Sequence, residues 1–117
     1  MTDQQLSAED AKLVTLARAT RVRVGAAEGA AVRDSDGRTY AAASVDLPSL
    51  RLGAVEVCVA MAISSGSRGL EAVVRLAETP WTEDAAAVVR EFSGGDVVVH
   101  LGDPRGTVMA SGTPETL

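Results

Sequence analysis

Leu52-Gly53-Ala54-Val55-Glu56-Val57-Cys58-Val59-Ala60-Met61-Ala62-Ile63 is an apolar run broken by one acid, Glu56. It is longer than the roughly 4–8 residues of a buried strand, so its length favours a helix. A helix that is apolar around most of its circumference is covered on more than one side. We expect this one to start between Ser49 and Gly53 and to end at Ser64-Ser65-Gly66. Glu56 then falls in the first turns, where free backbone N–H groups and the helix dipole favour a carboxylate. Two residues before it stands Ala54, which offers no donor atom.

The flanks supply the other elements. Ser7 with Asp10 forms a capping-box-like start for a first helix over residues 8–21, continuing toward Gly25. Residues 29–33 and 38–44 flank Asp34-Ser35-Asp36-Gly37 and read as a hairpin. Residues 70–76 form a buried strand, and Thr82, followed by Glu83 and Asp84, caps a third helix reaching about Phe92. Residues 96–101 form another buried strand, and 107–109 a short last one. The expected order is α-β-β-α-β-α-β-β. It implies an α/β fold of three layers, α/β/α, around a mixed sheet of about five strands. One domain spans residues 7–110, between a disordered 1–6 and a flexible tail at 111–117.

Composition narrows the function. With 117 residues, the chain buries roughly two-thirds of its unfolded surface. Aromatics make up 3% of residues, so Val, Leu, Ala and Ile must build the core. A net charge of −5 with scattered basic residues argues against nucleic-acid binding. No apolar run reaches the ~18–20 residues of a membrane span. The polar, acidic start is unlike a secretory signal, and the single Cys58 suits a reducing compartment. We expect a cytoplasmic protein with no membrane partner.

Local sequences in this order resemble those of the small cytidine deaminases. Glu28-Gly29-Ala30-Ala31-Val32 is similar to their Val-Gly-Ala-Ala strand, and Asp36-Gly37-Arg38-Thr39-Tyr40 to their hairpin turn. Ser44-Val45-Asp46 falls where an Asn-x-Glu pair grips the nucleoside ribose. Ala62-Ile63-Ser64-Ser65-Gly66 and Val88-Val89-Arg90-Glu91-Phe92 resemble the ends of two successive family helices. The resemblance implies the cytidine deaminase fold and, at this size, homotetramers joined through the central helices.

The same resemblance exposes departures. In that family a Cys or His before a catalytic Glu, and two Cys in a Pro-Cys-x-x-Cys turn, hold zinc. Aligning residues 62–66 without gaps places Glu56 on the catalytic Glu and Ala54 on the first ligand. Counting back from Glu91-Phe92 places Thr82 and Ala85 on the two cysteines. Bound zinc lowers the pKa of water from about 15.7 to about 7, so its loss forfeits roughly 12 kcal/mol of hydroxide availability. The nucleoside grip is shortened as well. Ser44 and Asp46 replace longer side chains, Leu47 replaces an Asn, and Ala26 lies near the place of the base-stacking Phe.

The leading expectation is a cytidine deaminase-like protein without zinc or another cofactor. It would be non-catalytic, a homo-oligomer (dimer or tetramer) with a structural or partner-binding role, open to an unknown protein partner. One alternative is a nucleoside-like small-molecule binder using Ser44, Asp46 and Glu56. Another is an active deaminase with an unrecognised metal site. Cys58 reads as a small buried hydrophobe, and Trp81 as a cap over the third helix. Asp34 and Asp36 read as turn residues. His100, alone in an apolar strand, reads as an edge or interface residue rather than an acid–base catalyst, with no Ser or Cys partner nearby in sequence.

Overall fold

The computed structural model describes residues 6–117. The chain runs through α1 (Ala8–Val24), β1 (Gly29–Asp34), β2 (Thr39–Ala43), β3 (Val45–Leu47) and β4 (Leu50–Leu52). It continues through α2 (Ala54–Ser64), β5 (Leu70–Leu76), α3 (Glu83–Ser93), β6 (Val98–Gly102) and β7 (Val108–Gly112). Five strands form one mixed sheet in the order β2-β1-β5-β6-β7, and β3 pairs only with β4. Within the five-stranded sheet only β5 and β6 run parallel. Parallel neighbours need a long crossover, and α3 supplies it.

Alternation along the strands divides the core between the two faces. Ala31, Ala72, Val74 and Leu76 pack under Leu13 and Ala17 of α1. Ala30, Val32, Val73 and Val99 meet Val55, Cys58, Val59 and Ala62 of α2 and Val89 of α3 on the other face. A bulge between Arg33 and Asp34 shifts the β1–β5 register. It returns Leu70 to the α2 side and leaves Glu71 outside, bound to Arg33. The α/β/α architecture therefore follows the strand pattern.

Helix ends follow their local chemistry. The Ser7 hydroxyl accepts from the Asp10 N–H, and Gly25, at φ 76°, closes α1 in the left-handed region. The Thr82 hydroxyl accepts from the Ala85 N–H at 3.2 Å and starts α3. No helix among the described residues is long and apolar enough to cross a membrane.

Several expectations change. Helix α2 begins at Ala54, because Leu50–Leu52 folds back on Val45–Leu47 across a Pro48-Ser49 turn. The expected flexible tail at 111–117 differs most. Ser111 and Gly112 belong to β7, the Trp81 Nε1–H donates to the Pro114 carbonyl, and Leu117 packs against the core. His100 lies on β6, between β5 and β7, with 5% of its surface exposed, so it is no edge residue. Of the expected disordered start, residues 1–5 lie outside the described residues, and Leu6 is partly buried.

Candidate functional site

The parallel strands β5 and β6 end together at Leu76 and Gly102, where the Ala77 N–H donates to the Gly102 carbonyl. In α/β sheets, ligands collect beyond the carboxyl ends of such strands. Two cavities open there. One of about 290 Å³ is lined by Arg21, Ala27, Glu28, Glu78, Thr79 and Pro104. The other, about 250 Å³, includes Arg75, Thr79, Trp81, Leu101 and Met109 in its wall.

Helix α2 enters this region with Gly53 as its cap, which has no side chain to satisfy the first N–H groups. Glu28, from the loop before β1, does this instead. Its Oε1 accepts from the Ala54 N–H at 3.0 Å, and its Oε2 from Arg75 Nη2 at 3.1 Å. Arg75 is 6% exposed and also donates to the Thr79 carbonyl and hydroxyl, both at 2.9 Å. Burial of a guanidinium is tolerated only with such partners. Glu56 folds back over its own helix start. A Cβ added at Gly53 would collide with Glu56 Oε1 and come within 3.3 Å of Glu28 Oε1. Any larger residue at Gly53 would require the Glu56 carboxylate to swing away from the helix start.

The sequence-predicted residues are only partly gathered. Ala54 and Ala85 are buried at the starts of α2 and α3, and Thr82 is exposed with its hydroxyl engaged as a cap. The Ser44 hydroxyl accepts from the Glu28 N–H, while the Ser44 N–H donates to the Glu28 carbonyl, so Ser44 fastens the Glu28 loop. Asp46 does not join them. On the β3–β4 hairpin its side chain is 88% exposed and pairs with Arg51 at 3.4 Å. Among the described residues, no three His, Cys, Asp or Glu side chains are grouped so as to hold a metal ion.

The other singled-out residues lie elsewhere. Cys58 is fully buried under β2, and desolvation pushes its thiol up to about 12. Asp34 is buried in its turn. Burial alone would raise its pKa, but the Ser67 and Tyr40 hydroxyls and the Arg38 and Asp36 N–H groups hold it below the usual carboxylate range. Trp81 packs against the core beside α3. Sequence reading missed Glu28, Arg75 and Thr79. The available signals were an acid opening β1 and an arginine inside the apolar strand Leu70–Leu76.

The sequence profile of the cytidine deaminase-like family matches residues 6–106. The chain belongs to the cytidine deaminase-like family. Its fold is similar to that of cytidine deaminase from Burkholderia pseudomallei, with a TM-score of 0.78 and 21% identity over 97% of this chain and 94% of that one. It also resembles cytidine deaminase from Mycobacterium leprae, at TM-score 0.72 and 20% identity over 93% and 95% of the two chains. The Mycobacterium tuberculosis enzyme matches at TM-score 0.69 and 22% identity over 80% and 85%. Among curated proteins, none matches this chain. These structural likenesses show the cytidine deaminase-like fold.

Proposed function

We propose that this chain is a family member without the zinc chemistry, a homo-oligomer with a structural or partner-binding role. The observation that carries this reading is the donor set at the starts of α2 and α3. Ala54 and Ala85 offer methyl groups, and the Thr82 hydroxyl is an alcohol already bonded to a backbone N–H. Zinc prefers thiolate, imidazole or carboxylate, so these residues do not fit it. Two carboxylates stand at the start of α2, but Glu28 is committed to the Ala54 N–H and Arg75, and Glu56 alone is one ligand where zinc takes three or four. The inherited cleft is thus held together by an ion pair and a helix cap.

Self-association is supported by the outer side of α2. A groove of about 440 Å³ is lined by Tyr40, Leu52, Val57, Ala60, Met61, Ser64 and Ser65, with no charge of either sign. Ile63, Leu47 and Leu50 add exposed apolar surface at 53%, 55% and 47%. The occupant we assign is a second copy, in keeping with the association through central helices that the family resemblance implies.

The alternative of a nucleoside-like ligand draws support from the two cavities beyond β5 and β6. It is weakened by the Ser44 hydroxyl being occupied and by Asp46 facing solvent. Elemental analysis, ammonia release from cytidine and light scattering test the reading together. The expected result is no stoichiometric zinc, no turnover and a mass above the monomer. One chelator-resistant zinc per chain, or deamination by the purified protein, would overturn it. Stabilisation by cytidine without turnover would favour the binder.

A further inference from the structure

A second constellation lies outside the inherited cleft and joins three elements distant in sequence. Asp10 of α1, His100 of β6 and Ser111 of β7 form one hydrogen-bonded line. His100 Nε2 is 2.8 Å from Asp10 Oδ2, and His100 Nδ1 is 2.7 Å from Ser111 Oγ. Asp10 and His100 are 8% and 5% exposed, whereas Ser111 stands at the surface. Arg33 holds the other Asp10 oxygen at 3.0 Å and is itself tied to Glu71. An ionised Asp10 can only accept, which assigns the proton to Nε2 and leaves Nδ1 as an acceptor facing the Ser111 hydroxyl.

We propose that Ser111 is an activated nucleophile toward ester carbonyls, with His100 as its general base and Asp10 as a positioning residue. Nucleophile, base and orienting acid in hydrogen-bond sequence are the geometric signature of such a centre, whatever fold carries it. The Ser111 proton passes to His100 Nδ1 along the existing bond as Oγ forms its bond to the carbonyl carbon. The imidazolium then donates to the bonded Oγ on one side and to Asp10 on the other, so the transferred proton keeps an acceptor throughout the adduct. Collapse of the tetrahedral adduct breaks the bond to the leaving oxygen, which departs with the proton from His100. Water, deprotonated by the same nitrogen, releases the acid and restores Ser111. Activated aryl esters are the substrate class, because a good leaving group demands least of the surroundings.

The test uses the full chain and p-nitrophenyl acetate, with acetylation followed by peptide mass spectrometry. Ser35, exposed in the β1–β2 turn and away from the α2 groove, serves as an internal control. A positioned base contributes roughly 100-fold or more, so Ser111 should acetylate at least about 100-fold faster than Ser35. The variant His100→Gln should bring Ser111 down to the Ser35 rate, and Ser111→Ala should abolish the fast phase. For Asp10, a slowly exchanging His100 Nε2–H resonance should be present, and Asp10→Asn should remove it while slowing acetylation. Ser111 reacting no faster than Ser35 in the unmodified protein, or as fast in His100→Gln as in the parent, would overturn the proposal. The first comparison needs no variant to fold.

Discussion

Replacing Glu28 with Val restores the apolar residue of the family's strand but strands a charge. Arg75, 6% exposed, keeps only its two bonds to Thr79. Breaking a buried pair by removing one partner costs about 3–5 kcal/mol. Glu28 is 20% exposed, and Thr79 still holds the guanidinium, which places the effect at the lower end of that range. Loss of the cap on Ala54 adds about 1 kcal/mol, so Glu28→Val should cost about 4 kcal/mol. Arg75→Met should cost less, about 1–2 kcal/mol, because Glu28 keeps its bond to Ala54 and some water. The double variant removes both charges and should lose little beyond the cap, about 1 kcal/mol. The coupling is therefore on the order of 4 kcal/mol, far above the few tenths that separate independent sites. Urea unfolding of the four proteins measures it, with a slope of about 1–3 kcal/mol per molar denaturant. Additive losses would refute the view that this ion pair holds the cleft together.

The carboxylates of Asp34 and Asp10 are both held below the ordinary value of 3.8. The unfolded chain then binds more protons in acid, so their stabilisation is present above about pH 4 and lost as pH falls through their lower folded values. Asp34→Asn should cost about 3 kcal/mol at neutral pH and flatten this acid loss; an unchanged acid limb in urea titrations would contradict it. Cys58, with its thiol raised to about 12, should resist a thiol-specific disulfide reagent in the folded protein and react on unfolding. Rapid reaction under native conditions would show that the core around α2 is open. Met61→Asp, in the apolar groove of α2, should lower the mass seen by light scattering while leaving the circular dichroism unchanged. An unaltered mass would move the interface elsewhere.

The central helix, the buried strands and the layered sheet were legible in the sequence because each depends on run length, period and caps within a few residues. The β3–β4 hairpin was hidden because Leu50–Leu52 merges with the apolar run that follows it and its Pro48-Ser49 turn lacks glycine. The methyl and hydroxyl side chains at Ala54, Thr82 and Ala85 could be read directly, since donor chemistry belongs to the residue. Which groups meet could not. An arginine inside Leu70–Leu76 shows that a buried charge needs a partner, but Glu28 lies 47 positions away. His100 and Asp10 are 90 positions apart, and Ser111 reaches the imidazole only because β7 pairs antiparallel with β6. Local patterns determine which elements form and which face of each is apolar. The pairing of distant polar side chains is decided by strand order and register, which the fold sets only when the whole sheet assembles.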